Sequence, residues 1–285
     1  MAEAPSPRTA FGGLSDPEWL GVLNRSIEQR VICGTQLPAF PADEIQIRTV
    51  GSANGAALQE ASHFYTFVKR VCAKHDVALA ASSRVLDFGI GWGRIARFFL
   101  KDIEPDGLYG VDVDAELVQV CIDTEVPATI ALVDPRGSMP FQAAMFDVAM
   151  AYSVFTHLPE PIANNWLREI SRVLTPGGLF VGTVQPPRTL ELFKSVDPDD
   201  ATQHFWHRRV AARIRRHPES SAVFADRGFA YLPSHETRWD DPSETFGNAF
   251  ASPAYVENNW SKFFDVLDYH DAPDFAQAIV VARAR

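Results

Sequence analysis

An α/β fold built on a doubly wound, mostly parallel sheet is predicted by three features of this sequence. From Ser83 onward, short apolar runs alternate with segments of helical spacing, the pattern of parallel strands joined by right-handed crossovers. One run, Val85-Leu86-Asp87-Phe88, opens directly into Gly89-Ile90-Gly91-Trp92-Gly93-Arg94, a glycine-rich turn that places a site at the carboxyl end of a buried strand. Near the C-terminus, Phe264 to Tyr269 and Ala276 to Ala282 read as two strands joined by a short Asp/Pro turn, an antiparallel hairpin closing the sheet.

Composition narrows the function classes. With 285 residues, 46% of them hydrophobic, the chain can bury a full core as one large domain or one domain with an elaboration. Its 26 basic and 36 acidic residues leave a net charge of −10, which disfavours a nucleic-acid partner. Cys33, Cys72 and Cys121 are widely spaced, odd in number and form no Cys-x-x-Cys pair, which argues against a disulfide frame and a structural zinc site and for a reducing cytoplasm. No metal-ligand cluster stands out. The first eight residues lack a signal-peptide core, and no run approaches the roughly 18 apolar residues of a membrane span. A soluble, cytoplasmic protein acting on a small molecule is expected.

The N-terminal part is predicted to be helical. Residues 1–14 read as a flexible tail, rich in proline and small residues. Ser15 and Glu18 have capping-box spacing, and Trp19, Leu20, Leu23, Ile27 and Val31 mark one helical face. A short helix is expected from Pro41 to Ile47, and a longer one carries Leu58, Ala61, Phe64, Tyr65, Val68 and Cys72. Residues 15–78 thus form a helical cap ahead of the sheet domain, 79–285.

The glycine turn discriminates between ligands. Glycines at 89, 91 and 93 allow positive φ and let a ligand approach backbone N–H groups at the start of the helix implied by Ile95, Phe98 and Phe99. A dinucleotide fingerprint calls for glycine at position 94, where Arg94 stands, and Asp87 at the strand end opposes a pyrophosphate but suits an ammonium group. Asp87 to Gly93 closely resembles motif I of the class I S-adenosyl-L-methionine (SAM) dependent methyltransferases. The resemblance implies a Rossmann-like fold with SAM as cofactor, its ammonium facing Asp87 and its carboxylate at the helix start. It also implies that the N-terminal helices cap the SAM site, although they can equally cover an edge of the sheet.

Later strands extend the match. Leu108 to Asp112 ends in an acid at the distance, about twenty residues beyond the glycines, where a ribose-binding carboxylate is expected; Gly110-Val111-Asp112 resembles the second methyltransferase motif, so Asp112 should take both ribose hydroxyls. Thr129 to Val133 leads to Asp134-Pro135, where the family often places an acid for the adenine amino group and a backbone N–H for the ring. Pro135 has no N–H, so Arg136 or Gly137 donates instead or adenine is held by apolar packing. A fourth strand runs from Phe146 to about Tyr152. In the segment that follows, Phe155 or Tyr152 could offer a π face to the sulfonium. His157 is the best-placed general base, or else a loop-fixing residue.

Ile162, Trp166, Leu167, Ile170, Val173 and Leu174 mark the next helix, ended by Pro176-Gly177-Gly178 before a fifth strand, Leu179 to Val184. Arg172 to Gly178 strongly resembles the same junction in the family. A long insertion, 186–252, follows and is expected to shape specificity together with the N-terminal helices, both contributing little to SAM binding. Within it Gln203 to His217 reads as a helix whose Arg208, Arg209, Arg213, Arg215, Arg216 and His217 are either a solvated face paired with Asp197, Asp199 and Asp200 or a recruiter of an anionic acceptor. The expected function is methyl transfer from SAM to a small-molecule acceptor, by O- or N-methylation. A SAM-binding module without turnover, acting with a partner protein, is the alternative, and a nicotinamide-dependent oxidoreductase is more distant.

Overall fold

The structure, a computed structural model, describes residues 5–234 and 245–285. The chain divides into two compact units, Met1–Met150 and Ala151–Arg285. Seven of its strands make a mixed sheet, mostly parallel, that ends in an antiparallel C-terminal pair. This is the Rossmann-like architecture expected.

In the first unit, β1 (Val85–Phe88), β2 (Leu108–Asp112), β3 (Thr129–Leu132) and β4 (Phe146–Ala151) run parallel in the order β4-β1-β2-β3. Val85 lies opposite both Leu108 and Val148, and Tyr109 opposite Thr129. All four residues of β1 are buried, as for a central parallel strand covered on both faces, so Asp87 is an acid inside the core.

The helices before β1 are more extensive than the sequence suggests. Pro7–Phe11 (α1) is helical where a loose tail is expected: Ser6 accepts from Thr9 N–H, and buried Phe11 packs 5.2 Å from the Trp19 ring. Residues 1–4 of that tail lie outside the described residues. Asp16–Ser26 (α2) carries the Ser15/Glu18 capping box, but Val31 leaves the helix and pairs with Gln36 in a two-residue ladder. Asp43–Val50 (α3) and Asn54–Lys74 (α4) complete the set. Trp19 Nε1 donates to the Phe98 carbonyl at 2.9 Å, and Lys101, nearly fully buried, pairs with Asp16 and Asp102 at 2.9 and 3.1 Å. Through these bonds the helices share a core with the segment after the glycine turn.

That segment corrects another expectation. Instead of an α-helix, Ala96–Lys101 forms a 3₁₀ helix with Phe98 N–H bonded to Ile95 O and Asp102 N–H to Phe99 O. Every side chain from Ala96 to Lys101 is buried, so it packs on all sides rather than along one stripe. The next crossover, α5 (Ala115–Asp123), is an ordinary amphipathic helix.

In the second unit α6 (Glu160–Val173) leads directly into β5 (Leu174–Val184), which takes in the Pro-Gly-Gly expected to end the helix. The insertion is more structured than predicted. It holds α7 (Pro187–Ser195), α8 (Phe205–Arg216) and α9 (Glu219–Arg227), then an antiparallel pair, β6 (Phe229–Pro233) and β7 (Gly247–Ala251). Residues 235–244 of this insertion lie outside the described residues. Leu190, Phe193, Val210, Ile214, Leu232 and Phe250 give it a core of its own. After α10 (Pro253–Trp260), β8 (Phe264–His270) and β9 (Ala278–Ala284) form the predicted hairpin, and β9 pairs antiparallel with β5.

The arginines of α8 separate into two groups. Arg215 is the solvated type, paired with Asp197 and Asp199 at 3.2 and 2.9 Å. Arg213 is buried, and its Nη1 donates to Asn248 Oδ1 on β7. Arg213→Glu is therefore expected to lower stability by about 3–5 kcal/mol, because it sets a carboxylate against a buried amide oxygen. Arg215→Ala is expected to leave the thermal midpoint unchanged. Equal midpoints for the two variants in a thermal melt would show that Arg213 is not structural.

Candidate functional site

In the first unit the site is built around the turn that follows β1. Gly89 and Ile90 both donate N–H to the Val111 carbonyl, at 2.9 and 3.0 Å, which carries the ladder one step past the strand. Gly91 and Gly93 have φ of 57° and 76°, the left-handed region that favours glycine. Their surroundings differ. A Cβ on Gly93 would meet Val126 at 2.8 Å, whereas one on Gly91 would meet nothing within 4 Å. Gly93 is therefore needed for packing, and Gly91 borders open space.

Two acids flank this turn. Asp112, at the end of β2, accepts from Gly91 N–H at 2.8 Å with one oxygen and from Asp114 N–H at 3.0 Å with the other, so it braces the glycine turn from the neighbouring strand. Cys121 Sγ holds the Gly91 carbonyl at 3.1 Å. Asp87 is only 2% exposed, takes a backbone hydrogen bond from Ala96, and has no partner for Oδ2 among the described residues. Burial, reinforced by the Asp112 charge, pushes its carboxyl up to about 8. A buried carboxylate oxygen without a donor calls for a cation, and an ammonium group fits it.

Asp134 lies differently from its neighbours. It is exposed, and the two donors expected for adenine serve its own loop: Arg136 N–H is bonded to Asp134 Oδ1 at 2.7 Å and Gly137 N–H to Asp134 O at 2.9 Å. The sequence reading missed Val113, which follows Asp112 and is 50% exposed, an apolar surface at the carboxyl end of β2.

In the second unit the loop after β4 is held from several sides. Ser153 has φ of 61°, rare for a non-glycine residue, with its N–H bonded to Thr183 Oγ1 at 2.7 Å and its Oγ receiving Gln277 Nε2 at 2.9 Å. No sequence signal joins residues 124 positions apart. His157 Nδ1 lies 2.7 Å from the Gly247 carbonyl, and its ring stacks on Phe246 with centroids 4.5 Å apart. Because a carbonyl only accepts, Nδ1 carries the proton and Nε2 the lone pair of the neutral ring. Burial lowers the His157 pKa, helped by the nearby Arg213 charge and opposed by the Gly247 bond.

Of the two aromatic candidates, Phe155 is the more buried. It is buried against Phe180 and Trp260, at 5.7 and 5.3 Å. Tyr152 stays half-buried, directly after β4. Among the described residues no group of three His, Cys, Asp or Glu side chains could hold a metal ion, and no helix is long and apolar enough to cross a membrane.

A mostly parallel Rossmann-like sheet, with a glycine turn set between acids on adjacent strands, defines a cofactor-binding α/β domain. Residues 85–178 match the model of the methyltransferase domain family. The ubiquinone/menaquinone biosynthesis C-methyltransferase of Syntrophotalea carbinolica is 31% identical over 113 residues, which cover 38% of this chain and 46% of that protein. The match thus spans less than half the length of that relative. Among solved structures, a SAM-dependent methyltransferase from Mesorhizobium loti is 13% identical over 75% of this chain and 97% of that one, with a TM-score of 0.49. The PH0226 protein of Pyrococcus horikoshii is 16% identical over 78% and 91%, with a TM-score of 0.46.

Proposed function

We propose that this protein is a SAM-dependent methyltransferase acting on a small hydroxylated or amino acceptor, such as a saccharide or secondary metabolite. The unpartnered Asp87 Oδ2 beside the open face of Gly91 carries the reading. In it Asp87 binds the cofactor's ammonium group, Asp112 the ribose hydroxyls and Val113 the adenine face, with Asp134 at the rim. Tyr152 remains the aromatic candidate for the sulfonium. When bound, SAM supplies a methyl group on a cationic leaving group, so the chain's own task is to align the acceptor and exclude water. His157, neutral with Nε2 as its basic nitrogen, takes the proton from an oxygen acceptor as the new bond forms.

Micromolar binding of SAM and of its demethylated product, with none of NAD, is the expected result in calorimetry. Asp112→Ala should weaken SAM binding at least about tenfold, since it removes bonds to a charged acceptor and the brace on Gly91. Unchanged affinity in the folded variant would remove Asp112 from the site. Transfer of label from radiolabelled SAM to metabolite pools then separates the enzyme from a SAM-binding module without turnover.

A further inference from the structure

Three side chains of the glycine turn and its 3₁₀ helix reach into the helical segments that precede the sheet. Trp92 is buried in an apolar cluster with Ala57, Val120, Phe40, Ile45 and Val50. Arg94 Nη1 donates to the Ala57 carbonyl at 3.2 Å and pairs with Glu60 at 2.9 Å. Arg97 is fully buried. Its guanidinium lies against two rings, 4.2 Å from the Phe40 centroid and 4.8 Å from that of Trp92, and these rings are themselves in contact with centroids 5.9 Å apart. Nε donates to Gly93 O at 3.2 Å, Nη2 to Ala39 O at 3.4 Å, and Nη1 has no partner among the described residues.

A buried guanidinium without a carboxylate is costly, and a Met side chain of similar length would fill the space without that cost. What the Arg97 side chain adds that Met cannot is a second hydrogen bond to the Gly93 carbonyl, which already accepts Arg97's own N–H at 3.2 Å, from a cation held against two rings. Asp112 holds the same turn at Gly91 N–H. We propose that Arg97, clamped against Phe40 and Trp92, is a positioning residue for the cofactor turn, so that SAM affinity depends on the N-terminal cap. The proposal rests on the SAM site described above. It departs from the expectation that the N-terminal helices contribute little to SAM binding, because the turn's own side chains are anchored in them.

The test uses the full chain, with SAM affinity measured by calorimetry, thermal midpoints recorded alongside, and ligand-free hydrogen exchange followed at the amides of 89–97. Arg97→Met and Phe40→Leu are each expected to weaken SAM binding about tenfold and to speed exchange at the turn, and Phe40→Tyr to retain affinity within about twofold. The double variant should bind about as well as either single one, because both remove one contact. Arg97→Met should not lower the thermal midpoint, since an uncompensated charge leaves the core. Unchanged affinity and exchange in either folded variant overturns the clamp, as does a loss of affinity that only tracks a falling midpoint. If Arg97→Met fails to fold, the Phe40 pair still decides. Failure of the wild-type protein to bind SAM strikes the proposed function itself, whereas variants that match a SAM-binding wild type strike the clamp alone.

Discussion

Asp87→Asn is expected to weaken SAM binding about 10²–10³-fold near pH 8, the largest loss of affinity from any single substitution in the cofactor site. The amide keeps the shape of the side chain but leaves an incoming ammonium without its counter-charge inside the protein, and breaking such a pair costs about 3–5 kcal/mol. The pH profile makes the assignment specific. With its carboxyl pushed up to about 8, Asp87 holds a proton at neutral pH that an ammonium must displace. SAM affinity should therefore rise about tenfold per pH unit from 6 towards 8, with uptake of the ligand releasing a proton. Above pH 8 it should fall again as the ligand's own α-amino group, with a pKa of about 8, loses its charge. In the Asn variant the rising limb disappears. Folding raises this carboxyl from 3.8 to about 8, so its contribution to stability is complete at low pH and is lost as the pH climbs through that interval. The ligand-free protein should melt lower at pH 8 than the Asn variant's trend predicts. Calorimetry in buffers of different ionisation enthalpy counts the proton, and wild-type affinity that is flat from pH 6 to 8 would exclude Asp87 as the ammonium site.

His157→Ala is expected to lower turnover about 10²–10⁴-fold with an oxygen acceptor while SAM affinity stays within about twofold. The bond from Nδ1 to the Gly247 carbonyl selects the tautomer with a basic Nε2, and the lowered pKa keeps the ring neutral at physiological pH. Protonation removes the lone pair, so the rate should fall on acidification only as the pH drops through a value below 6.5. A nitrogen acceptor attacking with its own lone pair should lose far less. Steady-state kinetics separate the two classes. Parallel loss of SAM binding and of the thermal midpoint would instead make His157 a support for the loop on β7.

Where an element follows from spacing along the chain, the sequence was sufficient. The run Val85 to Gly93, the acid at Asp112 and the terminal hairpin are each specified by contiguous residues: a buried strand needs an apolar run, a left-handed turn needs glycine, and a hairpin needs two β-rich stretches about a turn. The same reasoning failed for side chains whose environment comes from distant segments. Arg213 read as part of a solvated face or a recruiter of an anionic acceptor, yet it bonds Asn248 inside the insertion; Arg97, to which motif spacing assigns no role, is buried against Phe40 and Trp92. Phe155 read as a candidate π face for the sulfonium, yet it is buried with Trp260 and Phe180 packed against it.

The sequence by itself thus determined the sheet, its glycine turn and the two acids that flank that turn, because local periodicity and backbone chemistry dictate them. Only the tertiary structure decided which of its charges are buried, which histidine nitrogen is basic, and which segments before the sheet pack against the glycine turn. Each of these depends on a partner between 35 and 90 residues away in sequence, such as Asn248 for Arg213, Gly247 for His157 or Ala39 for Arg97. The energies of desolvation and hydrogen bonding that settle such questions exist only once the chain has folded and brought those partners together.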